Sequence, residues 1–255
     1  MPLNFIRQGE GEPVLLIHGL FGSMTNLGYL AQALREHYCV YSVDLRNHGD
    51  SFHHEEMNYQ VMAQDIERFL EQEKLEKLHI VGHSMGGKVA MQLALNAPQT
   101  IDRLIVADIA PVSYPNGHDD VLAGLHRLEH MRPASRKDAD NALAEFVVES
   151  DVRLFLLKNL VRDDSGHYRL KINLEAISSK YRHIADAPDG QPFSGPTLFV
   201  KGSTSNYIEG EHKDDILRLF PNAKVKIIEG AGHWLHAEKP NAFNRIALNF
   251  LQNSR

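Results

Sequence analysis

The stretch Leu78-His79-Ile80-Val81-Gly82-His83-Ser84-Met85-Gly86 decides the fold of this 255-residue chain. A short apolar run ends in Gly-His-Ser-Met-Gly, and the pattern of a helix follows over residues 84–96. This is the motif G-x-S-x-G between a strand and a helix, where a sharp turn lifts a serine hydroxyl clear of a sheet. The amino end of the helix favours negative charge that develops beside the serine. The motif therefore predicts that Ser84 is a nucleophile.

A second pattern overlaps the first. Residues 82–88 also read G-x-x-x-x-G-K, which resembles a phosphate-binding loop. That loop needs a Ser or Thr after the lysine to bind Mg²⁺, and this chain has Val89 there. We therefore do not expect nucleotide binding, and we expect Lys88 to be an ordinary polar residue of the helix.

Apolar runs alternate with amphipathic stretches at both ends of the chain. The runs predict strands at 13–18, 38–43, 78–81, 103–107, 196–201 and 223–229, and helices are predicted at 25–36, 59–73, 84–96, 213–220 and 240–251. Such alternation predicts an α/β fold with a mostly parallel central sheet and helices on both faces. The alternation stops after Pro111. The following residues are predicted to be mostly helical, with helical segments at 119–131, 135–148, 151–161 and 173–185.

These boundaries predict one catalytic core that is interrupted by a helical insertion. The first part of the core spans residues 1–112, the insertion spans 113–190, and the second part of the core spans 191–255.

A His-Gly turn follows the first strong strand, in the run His18-Gly19-Leu20-Phe21-Gly22. Such a turn can aim a backbone N–H at a substrate oxygen, and the residue after the nucleophile supplies a second donor. We expect the amides of Leu20 and Met85 to form this oxyanion hole.

The base and the acid of a serine hydrolase follow the nucleophile along the chain. His233 comes directly after Gly232 beyond the last strand and is the predicted base, whereas His236 is expected to be a supporting or surface group. No carboxylate follows the strand at 196–201 before residue 209, but Asp108 follows the strand at 103–107. Asp108 is therefore the predicted acid, although it could instead cap the turn. Glu209, Asp214 and Asp215 remain alternatives.

Composition excludes several other classes of protein. The chain has 33 acidic and 27 basic residues and a net charge of −6, which argues against nucleic-acid binding. The apolar run at 14–17 is far shorter than the roughly 18 residues of a membrane span. A single cysteine, Cys39, excludes an internal disulfide and a cysteine-rich metal site. No signal peptide is visible, so the expected location is the cytoplasm.

Two polar stretches look functional at first sight. The loop at 44–51 could position a substrate, but an ion pair between Asp44 and Arg46 within the loop is the expected arrangement. The run His53-His54-Glu55-Glu56 lacks the spacing that places two metal ligands on one helical face, so we expect no metal there.

Taken together, the motifs resemble the α/β-hydrolase superfamily and, more closely, the YbfF-type bacterial esterases. The resemblance rests on the stretches at 18–23, 44–49, 82–88, 108–111 and 232–240. It implies an α/β-hydrolase fold whose helical insertion forms a cap over the active site, and hydrolysis of acyl esters or thioesters without a cofactor. It also implies that the acid follows the earlier strand, at Asp108, rather than the later strand, where Ser205 stands.

The predicted function is that of a serine hydrolase acting on small acyl esters or thioesters. Ser84 would attack the acyl carbonyl, His233 would act as base and Asp108 would orient the histidine. Cap residues expected to supply an acyl pocket are Leu122, Leu125, Phe155 and Leu156. The alternative is a C–C bond hydrolase or lyase that uses the same three residues for proton transfer. Such enzymes generally need a cationic clamp for an acidic substrate, and the insertion has no surplus of basic residues.

Overall fold

The central sheet of the protein is built from short apolar strands. In the computed structural model, which describes residues 1–252, the strands are β1 Phe5–Gln8, β2 Pro13–Ile17, β3 Cys39–Val43, β4 Leu78–His83, β5 Ile101–Ala107, β6 Leu160–Arg162, β7 Tyr168–Leu170, β8 Thr197–Gly202 and β9 Ala223–Ile228. Seven of them form one sheet in the order β1-β3-β2-β4-β5-β8-β9. Only the pair β1–β3 in this sheet is antiparallel. The predicted mostly parallel sheet is confirmed.

Helices cover both faces of this sheet and make up most of the inserted segment. They are α1 Gly28–Leu34, α2 Tyr59–Glu73, α3 Met85–Asn96, α4 Asp119–Met131, α5 Arg136–Leu143, α6 Ser150–Leu156, α7 Leu174–Ser179, α8 Tyr181–Ala185, α9 Lys213–Leu219, α10 Leu235–Glu238 and α11 Pro240–Gln252. Successive side chains of β2 point to opposite faces, as strand geometry requires. Leu15 and Ile17 pack with α2 and α3, whereas Val14 and Leu16 pack with α1 and α11. Both faces of the sheet are therefore buried.

Several local predictions differ from the structure, among them the helix predicted at 135–148, which ends at Leu143. The helix predicted at 25–36 is a 3₁₀ turn, Met24–Leu27, followed by the shorter α1. The edge strand β1 was not predicted, because it is largely exposed and has no continuous apolar run. The helix predicted at 151–161 ends at Leu156, and the following residues enter the antiparallel pair β6–β7. The carboxylate of Asp163 closes the turn of this hairpin by accepting from the Ser165 amide at 2.9 Å.

The inserted segment lies between β5 and β8, which are neighbours in the sheet. It contains α4 to α8 and the β6–β7 hairpin. Its buried leucines, such as Leu125, Leu128 and Leu143, belong to the same apolar cluster as the α2 and α3 side of the sheet. The segment therefore packs onto the core and shares its apolar interior. Within residues 1–252, none of the helices has the length and apolar character needed to cross a membrane.

Candidate active site

Ser84 occupies the tight turn between β4 and α3. Its φ of +54° is a strained value for a residue with a side chain. The turn is possible because the flanking positions lack side chains. A Cβ on Gly86 would lie 2.4 Å from the carbonyl oxygens of Ile17 and His18, and one on Gly82 would lie 2.3 Å from the Gly86 oxygen. The backbone packing thus explains both glycines of the motif.

The carboxyl ends of the parallel strands bring three of the predicted residues together. His233 Nε2 lies 2.9 Å from Ser84 Oγ, and His233 Nδ1 lies 2.8 Å from Asp108 Oδ2. Asp108 is fully buried at the end of β5. Because its carboxylate can only accept, Nδ1 carries the proton and the Nε2 lone pair faces the serine hydroxyl. The arrangement suits removal of the hydroxyl proton by the imidazole.

Asp108 is held in place by groups at the end of β8. The Gly202 amide donates to its Oδ1 at 3.0 Å, and the Ser205 hydroxyl donates to its Oδ2. Its own backbone N–H donates to Val200 O at 2.8 Å, and its φ is +53°. The role of Ser205 as a donor to the acid was not predicted. The hydroxyl-rich run at 203–205, with no carboxylate after a core strand, is the signal that could have indicated it.

The alternative acids do not replace Asp108 beside the histidine. Asp215 pairs with Arg218, and the exposed Asp214 lies in the first turn of α9. Glu209 lines the adjoining cavity but precedes the 3₁₀ turn at Gly210–His212. Of the four carboxylates considered from the sequence, Asp108 is the one hydrogen-bonded to His233.

A family model described as the alpha/beta hydrolase fold matches residues 12–240. The chain belongs to the α/β hydrolase family. This hydrolase is 38% identical to esterase YbfF of Escherichia coli strain K12 over 96% of its own length and 94% of that protein. It is 40% identical to the sn-1-specific diacylglycerol lipase ABHD11 of Mus musculus over 98% of its own length and 85% of that protein. The solved structure of a marine microorganism esterase superposes with a TM-score of 0.95 at 39% identity, covering 98% and 99% of the two chains.

Two buried histidines support the His233 loop of this hydrolase. His83 donates through Nε2 to the His233 carbonyl oxygen at 2.8 Å, and the ring of His236 packs 4.3 Å from that of His83. Burial lowers the pKa of His236 to about 3, and burial together with the neighbouring His236 lowers the pKa of His83 well below its usual value. Both rings are therefore neutral near pH 7. His236 is therefore a buried supporting group, which is the first of its two predicted roles.

The ring of Tyr207 stacks on the ring of the predicted base. Its centroid lies 4.1 Å from that of His233, with the two planes 28° apart. Tyr207 follows β8, where the sequence showed no motif, so this contact was not predicted.

Buried histidines also fix the loop that carries the predicted oxyanion donor Leu20. His18 accepts from the Leu45 amide at 3.1 Å and donates to Gly19 O at 2.7 Å. His48 accepts from the Phe21 amide at 3.2 Å, and burial lowers its pKa to about 3. Two neutral imidazoles thus hold the turn by its backbone.

The two residues predicted to supply oxyanion donors line the same cavity as Ser84. Leu20 and Met85 contribute to its wall. Met85 is the first residue of α3, where an amide has no acceptor within the helix and is free to donate elsewhere.

The polar loop after β3 is organised differently from its prediction. Arg46 pairs with Asp65 of α2 through bonds of 2.5 and 2.9 Å, and not with Asp44. Asp44 instead accepts from the amides of Met24 and Asp50 at 2.7 and 2.9 Å. The expected ion pair within the loop was wrong, because α2 lies close enough to supply a buried carboxylate. Both charged groups have structural partners and neither lines the cavity.

A cavity of about 550 Å³ adjoins Ser84 and His233. The inserted segment contributes apolar side chains to it, namely Val121, Val152, Phe155 and Leu156. Phe155 and Leu156 were predicted to do so, whereas Leu122 and Leu125 are not among the lining residues. Leu125 is fully buried in the core. Leu125 therefore faces the core, whereas Val121 of the same helix lines the cavity.

Lys88 departs most from its prediction. It is 1% exposed and contributes to the cavity wall. Every residue of α3 from Met85 to Leu95 is buried, so the helix has no solvent-facing side for a lysine.

Across residues 1–252, no group of three or more His, Cys, Asp or Glu side chains has the arrangement of a metal site.

Proposed function

We propose that this α/β hydrolase is a serine carboxylesterase with Ser84 as nucleophile, His233 as general base and Asp108 as the acid that orients the base. One observation carries the proposal, namely the hydrogen-bond chain from Asp108 through His233 to Ser84 at the wall of a largely apolar cavity. The relatives named as esterases and lipases support ester bonds as the substrate class.

The reaction proceeds in two halves through an acyl-enzyme. His233 Nε2 takes the Ser84 hydroxyl proton as Oγ adds to the acyl carbonyl carbon, and the amides of Leu20 and Met85 donate to the resulting oxyanion. The imidazolium returns its proton to the leaving alcohol as the C–O bond breaks. A water molecule then loses a proton to His233, attacks the acyl-enzyme and releases the carboxylic acid, and Ser84 regains its proton.

The cavity suits an acyl chain. Val121, Val152, Phe155 and Leu156 present apolar surface near the nucleophile. Burial of such surface stabilises a bound chain by roughly 0.8 kcal/mol for each methylene group. An acyl thioester would react through the same steps with a thiol as leaving group. Esters and thioesters should therefore be tested side by side as substrates.

A C–C bond hydrolase or lyase is not favoured by the charges in the cavity. Within the described part of the chain, Lys88 is the one Lys or Arg that lines the cavity, and its ammonium group already donates to three backbone carbonyls. Glu209 and Glu211 also line the cavity. No cationic clamp for an acidic substrate is available there.

The proposed setting is the cytoplasm, with a small acyl ester as the partner molecule. The free and buried thiol of Cys39 is compatible with that reducing compartment. Fractionation of cells that express the tagged full chain would test the location, and recovery in a membrane or exported fraction would contradict it.

A panel of acyl esters and acyl-CoA thioesters of graded chain length tests the activity. Wild-type protein is expected to hydrolyse the esters, and Ser84→Ala to lose roughly 10⁴-fold or more of the rate. The matched control is Ser165→Ala, which removes an exposed hydroxyl in the β6–β7 turn.

Covalent labelling provides an independent test of the nucleophile. A serine-directed phosphonate is expected to add its mass to Ser84 in the wild-type protein and to leave Ser84→Ala unlabelled. Retained ester hydrolysis in Ser84→Ala would contradict the assignment of the nucleophile.

A further inference from the structure

Lys88 places an amino group in the interior of the protein, one helical turn beyond the nucleophile. An ammonium group is stable in such a place only when partners replace the water that it has lost. Burial lowers the pKa of Lys88 to about 7, and the nearby Asp186 acts in the opposite direction. The identity of its partners therefore decides what this side chain does.

The Nζ atom donates to carbonyl oxygens from two distant segments. The acceptors are Val112 at 2.7 Å, Ala185 at 3.1 Å and Asp186 at 2.6 Å. Val112 lies where the chain leaves β5 for the inserted segment, and Ala185 and Asp186 lie where it returns towards β8. We call these two points, where the chain enters and leaves the inserted segment, its crossings. One amino group therefore holds both crossings to α3.

The two crossings are also bonded to each other. The Tyr114 amide donates to Ala185 O at 2.9 Å, and the Ala187 amide donates to Ser113 Oγ at 3.1 Å. If one crossing is displaced, these hydrogen bonds are therefore expected to displace the other as well.

The groups around Lys88 form part of the cavity wall. Its Nζ lies 4.7 Å from the ring centroid of Tyr114 and 5.5 Å from that of Tyr59, and the Tyr59 hydroxyl donates to Ile184 O. Tyr59, Lys88, Tyr114, Ile184 and Ala185 all line the cavity, and we call these five residues the Lys88 wall.

We propose that Lys88 is a positioning residue for substrate selection. By tying both crossings of the inserted segment to the helix of the nucleophile, it fixes the Lys88 wall and so limits the length of acyl chain that the cavity accepts. This inference rests on the proposed ester hydrolysis. Loss of the ties is expected to let the wall move outward and to favour longer chains.

Gln92 offers a matched control on the same face of α3, four residues further on. Its Nε2 donates to Asp189 O at 2.7 Å, and its Oε1 accepts from the Asp189 amide at 3.2 Å. It is as buried as Lys88 and also ties the returning chain to α3, but it does not line the cavity. A change specific to Lys88 can therefore be separated from general loosening of the inserted segment.

The test compares kcat/KM for a dodecanoyl and a butanoyl ester in wild type, Lys88→Met and Gln92→Met, with active sites counted by a small phosphonate. Methionine matches the length of the lysine stem and removes the donors. We expect the ratio of the long to the short ester to rise roughly tenfold in Lys88→Met, the lower range of what a pocket exerts over one methylene. The ratio in Gln92→Met is expected to match that of the wild type. Lys88→Gln, which keeps two donors on a shorter stem, is expected to shift the ratio less and in the same direction.

Hydrogen exchange gives a readout that needs no turnover. The amides of Tyr114 and Ala187 are expected to exchange faster in Lys88→Met than in Gln92→Met. An unchanged ester ratio in Lys88→Met, or an equal change in Gln92→Met, would overturn the inference while leaving ester hydrolysis intact. A wild-type protein that hydrolyses no ester of the panel would contradict the proposed function instead, and the exchange rates would still decide whether Lys88 holds the wall.

Discussion

The inserted segment is held in place differently from the catalytic edge, by which we mean the edge of the sheet that carries the proposed catalytic residues Ser84, Asp108 and His233. At the edge, short backbone turns position the groups. Ser84 and Asp108 both have positive φ angles, and Gly86 leaves no room for a side chain. The inserted segment packs on the core and is also tied to it by long side chains, with Lys88 and Gln92 reaching carbonyls about 100 residues away along the chain. We therefore expect the positions of the proposed catalytic groups to depend on local sequence, and substrate selection to depend on a few long-range contacts.

Among the changes that compare these two regions, the largest effect is expected from Asp108→Asn at the catalytic edge. An amide in place of the carboxylate can donate to His233 Nδ1 and so stabilise the wrong tautomer, and kcat for a short ester should fall roughly 10⁴-fold. Asp214→Asn, at an exposed position in α9, should leave kcat unchanged. A large loss of kcat in Asp214→Asn, with only a mild loss in Asp108→Asn, would contradict the assignment of Asp108 as the acid.

A pair of glycine substitutions compares the packing of the two regions. A Cβ at Gly86 would meet backbone carbonyls at 2.4 Å, whereas one at Gly124 of α4 would meet the side chains of Leu143 and Phe146 at 3.0 and 3.2 Å. Gly86→Ala should lower the free energy of unfolding by about 3 kcal/mol, since backbone cannot easily move aside. Gly124→Ala should change it by less than about 1 kcal/mol, because the gain in helix propensity offsets the crowding. Urea denaturation measures both, and equal losses would contradict the contrast.

Acid should destabilise the catalytic edge through its buried histidines. Burial lowers the pKa of His48 and of His236 to about 3, so between pH 3 and 6.5 the unfolded chain binds protons that the folded chain does not. Above about pH 6.5 these two groups do not lower the free energy of unfolding. As the pH falls below that value, each group lowers it by up to about 1.4 kcal/mol per pH unit. Urea denaturation at pH 7.5, 6.5, 5.5 and 4.5 should show this decline.

His236→Leu serves as the control for this pH dependence. It removes one of the titrating groups, so its free energy of unfolding should fall less steeply with acid than that of the wild type. The same slope in both proteins would show that His236 does not stay neutral when buried.

The smallest effect is expected in the inserted segment, as a pH dependence of substrate selection. Burial lowers the pKa of Lys88 to about 7, and a neutral amine has two N–H donors for three carbonyls. The titratable groups that face it are Asp186, Tyr59 and Tyr114, and burial raises the pKa of both tyrosines above their usual value. The ratio of long-chain to short-chain ester hydrolysis should therefore rise a few-fold between pH 6 and 8.5.

Steps shared by all esters cancel in that ratio. Lys88→Met should show a ratio that is high and independent of pH. A flat ratio in the wild type would contradict titration of Lys88 in this range.

Much of the catalytic edge could be predicted from local signals. The turn at Ser84 needs glycines at fixed spacing, and His233 follows a strand and a glycine, so each is marked by its neighbours in the sequence. Asp108 could be proposed because it is a carboxylate that directly follows a core strand, but the contact with His233 spans 125 positions of the chain. The bounds of α2 and α4 followed from the 3.6-residue period of their apolar positions.

The remaining features depend on which segments become neighbours. Ser205, His83 and Lys88 carry no motif for the contacts that they make, because each partner lies on another element. A lysine and a glutamine four residues apart in an otherwise apolar helix could have indicated a buried polar face in α3. Only the positions of the Val112, Ala185 and Asp186 carbonyls show what that face binds.

By itself, the sequence determined the alternation of strands and helices, the sharp turn at Ser84 and the chain order of the proposed nucleophile, acid and base. These follow from periodicity and from local backbone sterics, which act over a few residues. The tertiary structure decided the partner of Arg46, the donors to Asp108, the lining of the cavity and the role of Lys88. These follow from packing between distant segments, where a buried charge or donor must find whichever partner the fold brings within reach.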